Sequence, residues 1–300
     1  MADAFSLDGE RLDLPRGAWA GAERRMLRWQ GREVFGLSQG PWRAYLHPVF
    51  TPQGFAVTAE SPADHPHHNA VWIASDHVTA HVPATAGTEA YTYNFYVNQT
   101  FQGRAPGRIL ETACEGAALG DGYRIEQTLD WRGPPEWGAP DGRVVARERR
   151  RFDVAGGEAH HLIDVVSTLE AAEWPLTLGP TRHAYFNVRI AMCGALRGAN
   201  GADAAAAISG SDAPWVDASG PVGGGHVAGI AVMTHPANGQ PWWFVTDWGV
   251  VTVNHFRVTP LAIAPGESAS FAFRLVVHDG AADSLDLARL YAEFADRAKL

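Results

Sequence analysis

Tyr123-Arg124-Ile125-Glu126-Gln127-Thr128-Leu129-Asp130-Trp131 is the stretch that decides the fold class. Tyr123, Ile125, Leu129 and Trp131 share one face of an extended chain, while Arg124, Glu126, Thr128 and Asp130 share the other. Side chains alternate sides along a strand, so the pattern predicts a strand with one face in a core and one in water. Phe271, Phe273, Leu275 and Val277 alternate in the same way with Ala272, Arg274 and Val276. Residues 144–154, 161–169, 229–233, 243–245 and 250–255 are also strand-like, being rich in Val, Ile, Phe and Trp. Gly and Pro clusters such as Gly133-Pro134-Pro135, Gly156-Gly157, Gly223-Gly224-Gly225 and Pro265-Gly266 separate them. Many strands joined by turns predict an all-β protein, a large antiparallel β-sandwich, read as one domain over residues 1–300.

One helix is signalled near the end. Asp283 or Ser284 can cap it, and Leu287, Leu290, Tyr291 and Phe294 recur at helical spacing, so it is expected to pack on the outside of a sheet. Residues 197–225, rich in Gly, Ala and Asp, read as a long loop and a candidate lid.

Composition narrows the partners. The chain has 300 residues, 46% of them hydrophobic and 19% charged, which reads as globular. A net charge of −9 argues against nucleic acid or an anionic membrane as partner. Eleven Trp is a high count, and such rings line sugar pockets as well as cores. No apolar run reaches the roughly 20 residues that span a bilayer. The start, Met1-Ala2-Asp3-Ala4-Phe5, lacks a basic region followed by an apolar one, so no secretory signal is expected. Cys114 and Cys193 have no metal-ligand spacing and suggest no disulfide framework. A cytoplasmic enzyme with a small-molecule substrate is the expectation, with oligomerisation left open.

Asp64-His65-Pro66-His67-His68 carries the chemistry. Three imidazoles in four positions serve no ordinary folding purpose, because burying an unpaired ring costs free energy. Pro66 disfavours helix at His65, and an extended chain would point His65 and His67 one way and His68 the other. Rings at i and i+2 then sit roughly 6–7 Å apart, which suits a shared metal ion or one substrate. Two more His-Pro dipeptides, at His47-Pro48 and His235-Pro236, lie at edges of apolar segments, so their imidazoles are candidates for the same rim. The plain alternative is that Pro ends strands and His tolerates the position. Thr181-Arg182-His183-Ala184-Tyr185, if extended, aligns His183 with Tyr185 as an acid/base pair. In Arg147-Glu148-Arg149-Arg150-Arg151, Glu148 and Arg150 face opposite to the other three, so Glu148 is expected to be neutralised by its neighbours. There is no G-x-S-x-G, G-x-G-x-x-G, Walker A or H-E-x-x-H motif.

Leu46-His47-Pro48, Thr51-Pro52-x-Gly54, the His-rich stretch with Trp72, Gly107-Arg108-Ile109, Glu148-Arg149, Leu178-Gly179-x-Thr181, Trp215-Val216-Asp217-x-Ser219-Gly220, His235-Pro236-x-Asn238 and Val276-Val277-His278-Asp279-Gly280 occur in an order that resembles the PmoA-like family of bacterial proteins, methane-oxygenase-related by name. The resemblance covers nearly the whole chain. It implies one all-β domain like the sandwich of the sugar mutarotases, and carbohydrate chemistry. The chain departs from the family at Arg182-His183, at Asp76-His77-Val78-Thr79 and over residues 197–225.

The reading that results is an acid/base enzyme acting on a sugar derivative or another oxygenated ring compound by epimerisation, elimination or hydrolysis. His65, His67, His68, His183 and Tyr185 are the expected catalytic groups, and His47, His235, Arg182 and Trp72 the expected substrate contacts, on the concave face of the sandwich. A divalent metal, Zn or Fe, is open as a cofactor, with His65 and His67 as ligands and Asp64 behind them. Two alternatives stand beside it: a metal-dependent oxygenase and a non-catalytic carbohydrate-binding protein.

Overall fold

A computed structural model of the protein describes residues 4–11, 23–192 and 194–297. Two eight-stranded sheets form the body. The first runs, in spatial order, Phe5–Arg11, Glu23–Trp29, Arg32–Gln39, Ala44–Val49, Val71–Ser75, Ala184–Arg189, Val250–Asn254 and Trp242–Val245. The second runs Ala195–Gly198, Trp215–Gly223, His226–Thr234, Ser268–Asp279, His160–Ala171, Val144–Ala155, Gly122–Arg132 and Arg108–Leu119. Neighbouring strands in both are antiparallel. A smaller sheet is built from Leu261–Ile263, Leu176–Leu178, Val78–Ala84, Gly87–Asn94 and Ala105–Pro106.

The alternation that predicts the strands also places the core. Ile125, Leu129 and Trp131 are fully buried, and they join Phe273, Leu275 and Val277 in one cluster with Leu27, Phe35, Ile73 and Phe186 of the first sheet. Phe186 stacks on Phe273 with ring centres 4.4 Å apart, one of the contacts that close the sandwich. Each such side chain contributes about 1.5–3 kcal/mol on leaving water.

Glu148 and Arg150 point inward, as the alternation requires, and are buried between the sheets. The Arg150 guanidinium binds both Glu148 oxygens at 2.8 Å, and Glu148 also accepts from Trp131 Nε1 at 2.9 Å and from Ser167 Oγ at 2.7 Å. A buried ion pair survives only when its remaining hydrogen-bonding capacity is met, and here it is.

Behind the second sheet lies the C-terminal helix, Leu287–Ala295, which buries Leu287, Leu290 and Phe294 against Val166, Trp215, Met233 and Val276. Its cap is Asp286, whose carboxylate accepts from Arg289 N at 2.9 Å, and not Asp283 or Ser284, which sit in a preceding 3₁₀ turn. Arg274, on the sheet face beneath it, is buried and gives two hydrogen bonds to Asp164 (2.6 and 2.8 Å) and one to Leu290 O (3.0 Å).

Residues 197–225 are not one long loop. Trp215–Gly223 pairs with His226–Thr234 inside the second sheet, and Gly223, Gly224 and Gly225 make the turn at positive φ. The strand escaped the sequence pattern because Ala218 and Gly220 stand where branched residues would mark it. Cys193 lies outside the described residues, as do Met1, Ala2 and Asp3.

Candidate functional site

The face of the first sheet turned away from the second carries Trp72, paired in register with Asn187. Two loops cover that face. One, residues 61–69, holds the histidine cluster; the other, residues 95–104, follows the strand Gly87–Asn94. Arg43 ties them together from below and is almost fully buried. Its Nη1 donates to His67 O (2.7 Å) and Asn69 Oδ1 (2.6 Å), and its Nη2 to Tyr96 O (2.8 Å) and Asn98 Oδ1 (2.7 Å). Asn94 shapes the second loop by accepting from Tyr96 N and Val97 N and donating to Val97 O and Gln99 O.

Between the loops and the strand ends lies a cavity of about 690 Å³. One wall is the histidine cluster. The segment is a pair of consecutive turns, not an extended chain: His65 N donates to Pro62 O (3.0 Å) and His68 N to His65 O (2.9 Å). Pro66 therefore serves a turn, and the expected split of His68 from its neighbours does not occur, since all three rings line the cavity. Trp248, His65, His68 and Trp72 form a ladder of stacked rings with successive centres 4.5, 4.7 and 5.1 Å apart. His67 stands edge-on to His68 at 4.6 Å. Asp64 accepts from both Arg189 (2.9 Å) and, at 3.0 Å, His65 Nδ1, which orients the outer imidazole.

The facing wall carries a carboxylate–imidazole pair. Asp76 is 2% exposed, and its Oδ2 lies 3.1 Å from His183 Nδ1. The same carboxylate accepts from Arg104 Nη2 (2.9 Å) and Thr181 Oγ1 (2.5 Å), while Thr181 Oγ1 accepts from His183 N (3.0 Å). Burial alone would raise the Asp76 carboxyl. The hydrogen bonds from His183 and Thr181, with the Arg104 charge, outweigh it and hold the group below the usual carboxylate range. An ionised Asp76 keeps the proton of His183 on Nδ1, leaving Nε2 as the basic nitrogen. Arg182 Nε donates to that Nε2 at 3.3 Å, consistent with the same tautomer.

Two imidazoles of the cluster, His67 and His68, are held neutral. Burial first, then the Arg43 charge, lower His67 to about 4. Burial, then His67, His65 and Arg189, lower His68 to about 2, and its Nδ1 is buried with no hydrogen-bond partner. Neutral imidazoles donate at one nitrogen and accept at the other, as sugar hydroxyls require.

Thus His65, His67, His68, His183 and Arg182 share one cavity. Four expected residues lie elsewhere. Tyr185 faces the core, fully buried, with its hydroxyl 2.6 Å from Ser167 Oγ and its ring against Phe271 and Phe256. His47 lies on Ala44–Val49 beside Thr58 and Glu60, where burial and then the Arg24 charge lower it to about 3. His235 starts a 3₁₀ turn, accepts from Ala237 N and packs edge-on to Phe294 of the C-terminal helix. Trp72 is buried behind His68 and supports it, out of reach of a substrate. His47-Pro48 lies within a strand, His65-Pro66 in a turn and His235-Pro236 at the start of a 3₁₀ turn, and nothing in their local geometry steers them to one rim.

Asp76, Arg104, Tyr96 and Arg257 line the cavity and were not singled out in the sequence. Asp76 and His183 stand 107 positions apart, with no local pattern to pair them. The structure makes them partners.

The two rings expected as metal ligands, His65 and His67, stand edge-on with centres 5.7 Å apart, and among the described residues no group of three or more His, Cys, Asp or Glu is arranged to hold an ion.

Residues 25–292 match the family of unknown function DUF6807, and the chain belongs to that family. No curated protein matches it. Among solved structures it is similar to the 4-α-glucanotransferase of Thermococcus litoralis (10% identity, TM-score 0.33), covering 90% of this chain but only 39% of the glucanotransferase. It is similar also to Slr1438 of Synechocystis sp. PCC 6803 (10% identity, TM-score 0.34, 91% and 96% of the two chains). A third is a mutarotase candidate, YeaD of Salmonella typhimurium (9% identity, TM-score 0.30, 88% and 96%).

Proposed function

For this member of the DUF6807 family we propose an enzyme that moves a proton on a sugar derivative or similar oxygenated ring compound, with His183 as base and Asp76 as the residue that positions it. The observation that carries the reading is the Asp76–His183 pair at 3.1 Å on the wall of an open cavity, facing a bank of neutral imidazoles. The carboxylate fixes the tautomer and stabilises the imidazolium that forms when Nε2 takes a proton. His67 and His68 are too weakly basic to share that work near pH 7, so they serve as hydrogen-bonding partners for hydroxyls. Tyr96 lines the same cavity, and burial raises its hydroxyl well above the usual range, so it stays a neutral donor. Trp248, partly exposed on the cavity lining, offers apolar surface to a sugar ring. Epimerisation and elimination both begin with removal of a proton next to a carbonyl or carboxylate, the step that this base supplies.

The test is solvent exchange. A panel of aldoses, ketoses and sugar acids is incubated with the protein in D₂O and followed by NMR for deuterium at carbon. The reading expects exchange on at least one member, lowered about 10²–10⁴-fold in His183→Gln. No exchange on any member, or exchange untouched by His183→Gln, overturns it.

A further inference from the structure

The charge of the cavity runs opposite to that of the protein. The chain carries −9, yet the cavity lining holds one carboxylate, Asp76, against three guanidiniums, Arg104, Arg182 and Arg257. Arg104 is engaged by Asp76. Arg182 and Arg257 have no ion pair among the described residues: the hydrogen bond of Arg182 goes to His183, and Arg257 Nε is buried without a partner. Asp64, the other acid near the histidines, is taken by Arg189 and His65. Beyond Asp76 no acid lines the cavity among the described residues, so nothing there offsets these two guanidiniums.

Their placement is built in the same way for both. Arg182 lies over Phe244, 5.5 Å from the ring centre, and Arg257 over Trp242, at 4.7 Å. Trp242 and Phe244 are two apart on the edge strand Trp242–Val245, so both side chains leave the same face, roughly 7 Å apart along the strand. Each aromatic ring takes up one face of a guanidinium and leaves its N–H edge for an in-plane oxygen acceptor, the geometry in which arginine binds oxyanions.

From this we propose that the substrate is anionic: a sugar bearing a carboxylate or phosphoryl group whose oxygens bridge Arg182 and Arg257, with its ring laid between Trp248 and His183. The proposal deepens the proton-transfer reading and rests on it for the sugar ring. It adds a coupling. In the free protein the Arg182 N–H occupies the lone pair of His183 Nε2, the nitrogen that must accept the proton. An oxyanion that competes for Arg182 frees that lone pair, so the base becomes available when the right substrate arrives.

Calorimetric titration at low ionic strength tests it, with three pyranoses that differ only at C6: glucuronate, glucose 6-phosphate and glucose. At least one anionic sugar is expected to bind ten-fold or more tightly than glucose, with the preference abolished in an Arg182→Gln/Arg257→Gln variant and reduced by 0.5 M NaCl. The carboxylate and phosphate arms show which group is taken. Equal binding of all three, a preference that the double variant keeps, or no binding of either anion overturns the proposal. Binding in His183→Gln separates the two readings, since anion recognition survives there while exchange is lost. Exchange on neutral sugars alone, dependent on His183, would leave the proton-transfer reading standing without this one.

Discussion

Lowering the pH from 7.5 to 5 should cost this protein a large part of its stability through histidines that the fold holds neutral. His68, His47 and His161 are lowered from 6.5 to about 2, 3 and 4, with burial the leading cause in each. A lowered imidazole pKa means that the unfolded chain takes up a proton near pH 6.5 while the folded one does not. Stability is therefore whole above that value and falls as the pH drops from it towards the folded-state pKa. At pH 5 each of the three costs about 2 kcal/mol, about 6 kcal/mol together, against a typical total of about 5–15 kcal/mol. His67 and His255, each lowered to about 4, act in the same direction. Urea unfolding followed by Trp fluorescence at pH 7.5, 6.5, 5.5 and 5.0 measures the effect, and His68→Asn isolates one group. The variant loses stacking on His65 and Trp72 at every pH, so the slope is the readout and not the intercept. Between pH 6 and 5 its slope should be shallower than that of the wild type by about 1.2 kcal/mol per pH unit, nearly one proton's worth. Parallel slopes, or a His68 resonance titrating near 6.5, would refute the reasoning.

Three further outcomes follow from particular contacts. Asp76→Asn should leave the far-ultraviolet circular dichroism spectrum unchanged while lowering proton exchange about 10²–10⁴-fold, because an amide can hold His183 in the wrong tautomer; full activity in this variant would count against the pair. Tyr185→Phe should keep activity intact and lose about 1 kcal/mol of unfolding free energy with the Ser167 hydrogen bond, and an activity loss greater than the stability loss explains would return Tyr185 to the site. Arg274→Met leaves the buried Asp164 with Arg297 as its one cation among the described residues and should destabilise by about 3–5 kcal/mol, read by urea unfolding, so a change within 1 kcal/mol would contradict the cost of breaking this buried ion pair.

The strands that sequence reveals are those with one face in the core and a regular pattern of large apolar residues. Ile125, Leu129 and Trp131, or Phe271, Phe273 and Leu275, announce themselves because burial selects every second residue. Trp215–Gly223 does not, because small residues pack there and conceal the period. The histidine cluster is legible as a site because its density has no folding use, but its backbone is not, since Pro66 fits a turn as well as a strand. Long-range partners are the harder case. His183 and Asp76 are 107 positions apart and meet only because Val71–Ser75 and Ala184–Arg189 are neighbours in one sheet, a pairing that no local pattern encodes. Tyr185 illustrates the converse, being adjacent to the site in sequence and inside the sandwich in space.

Long-range ¹H–¹⁵N correlation of the imidazoles at neutral pH tests the central assignment most directly, because it reports which ring nitrogen of His183 bears the proton and needs no substrate. The Asp76 contact predicts that His183 carries its proton on Nδ1 in the wild type, with that preference lost in Asp76→Asn. A His183 protonated at Nε2, or a spectrum indifferent to the substitution, would remove the carboxylate–imidazole pair and with it the proposed base.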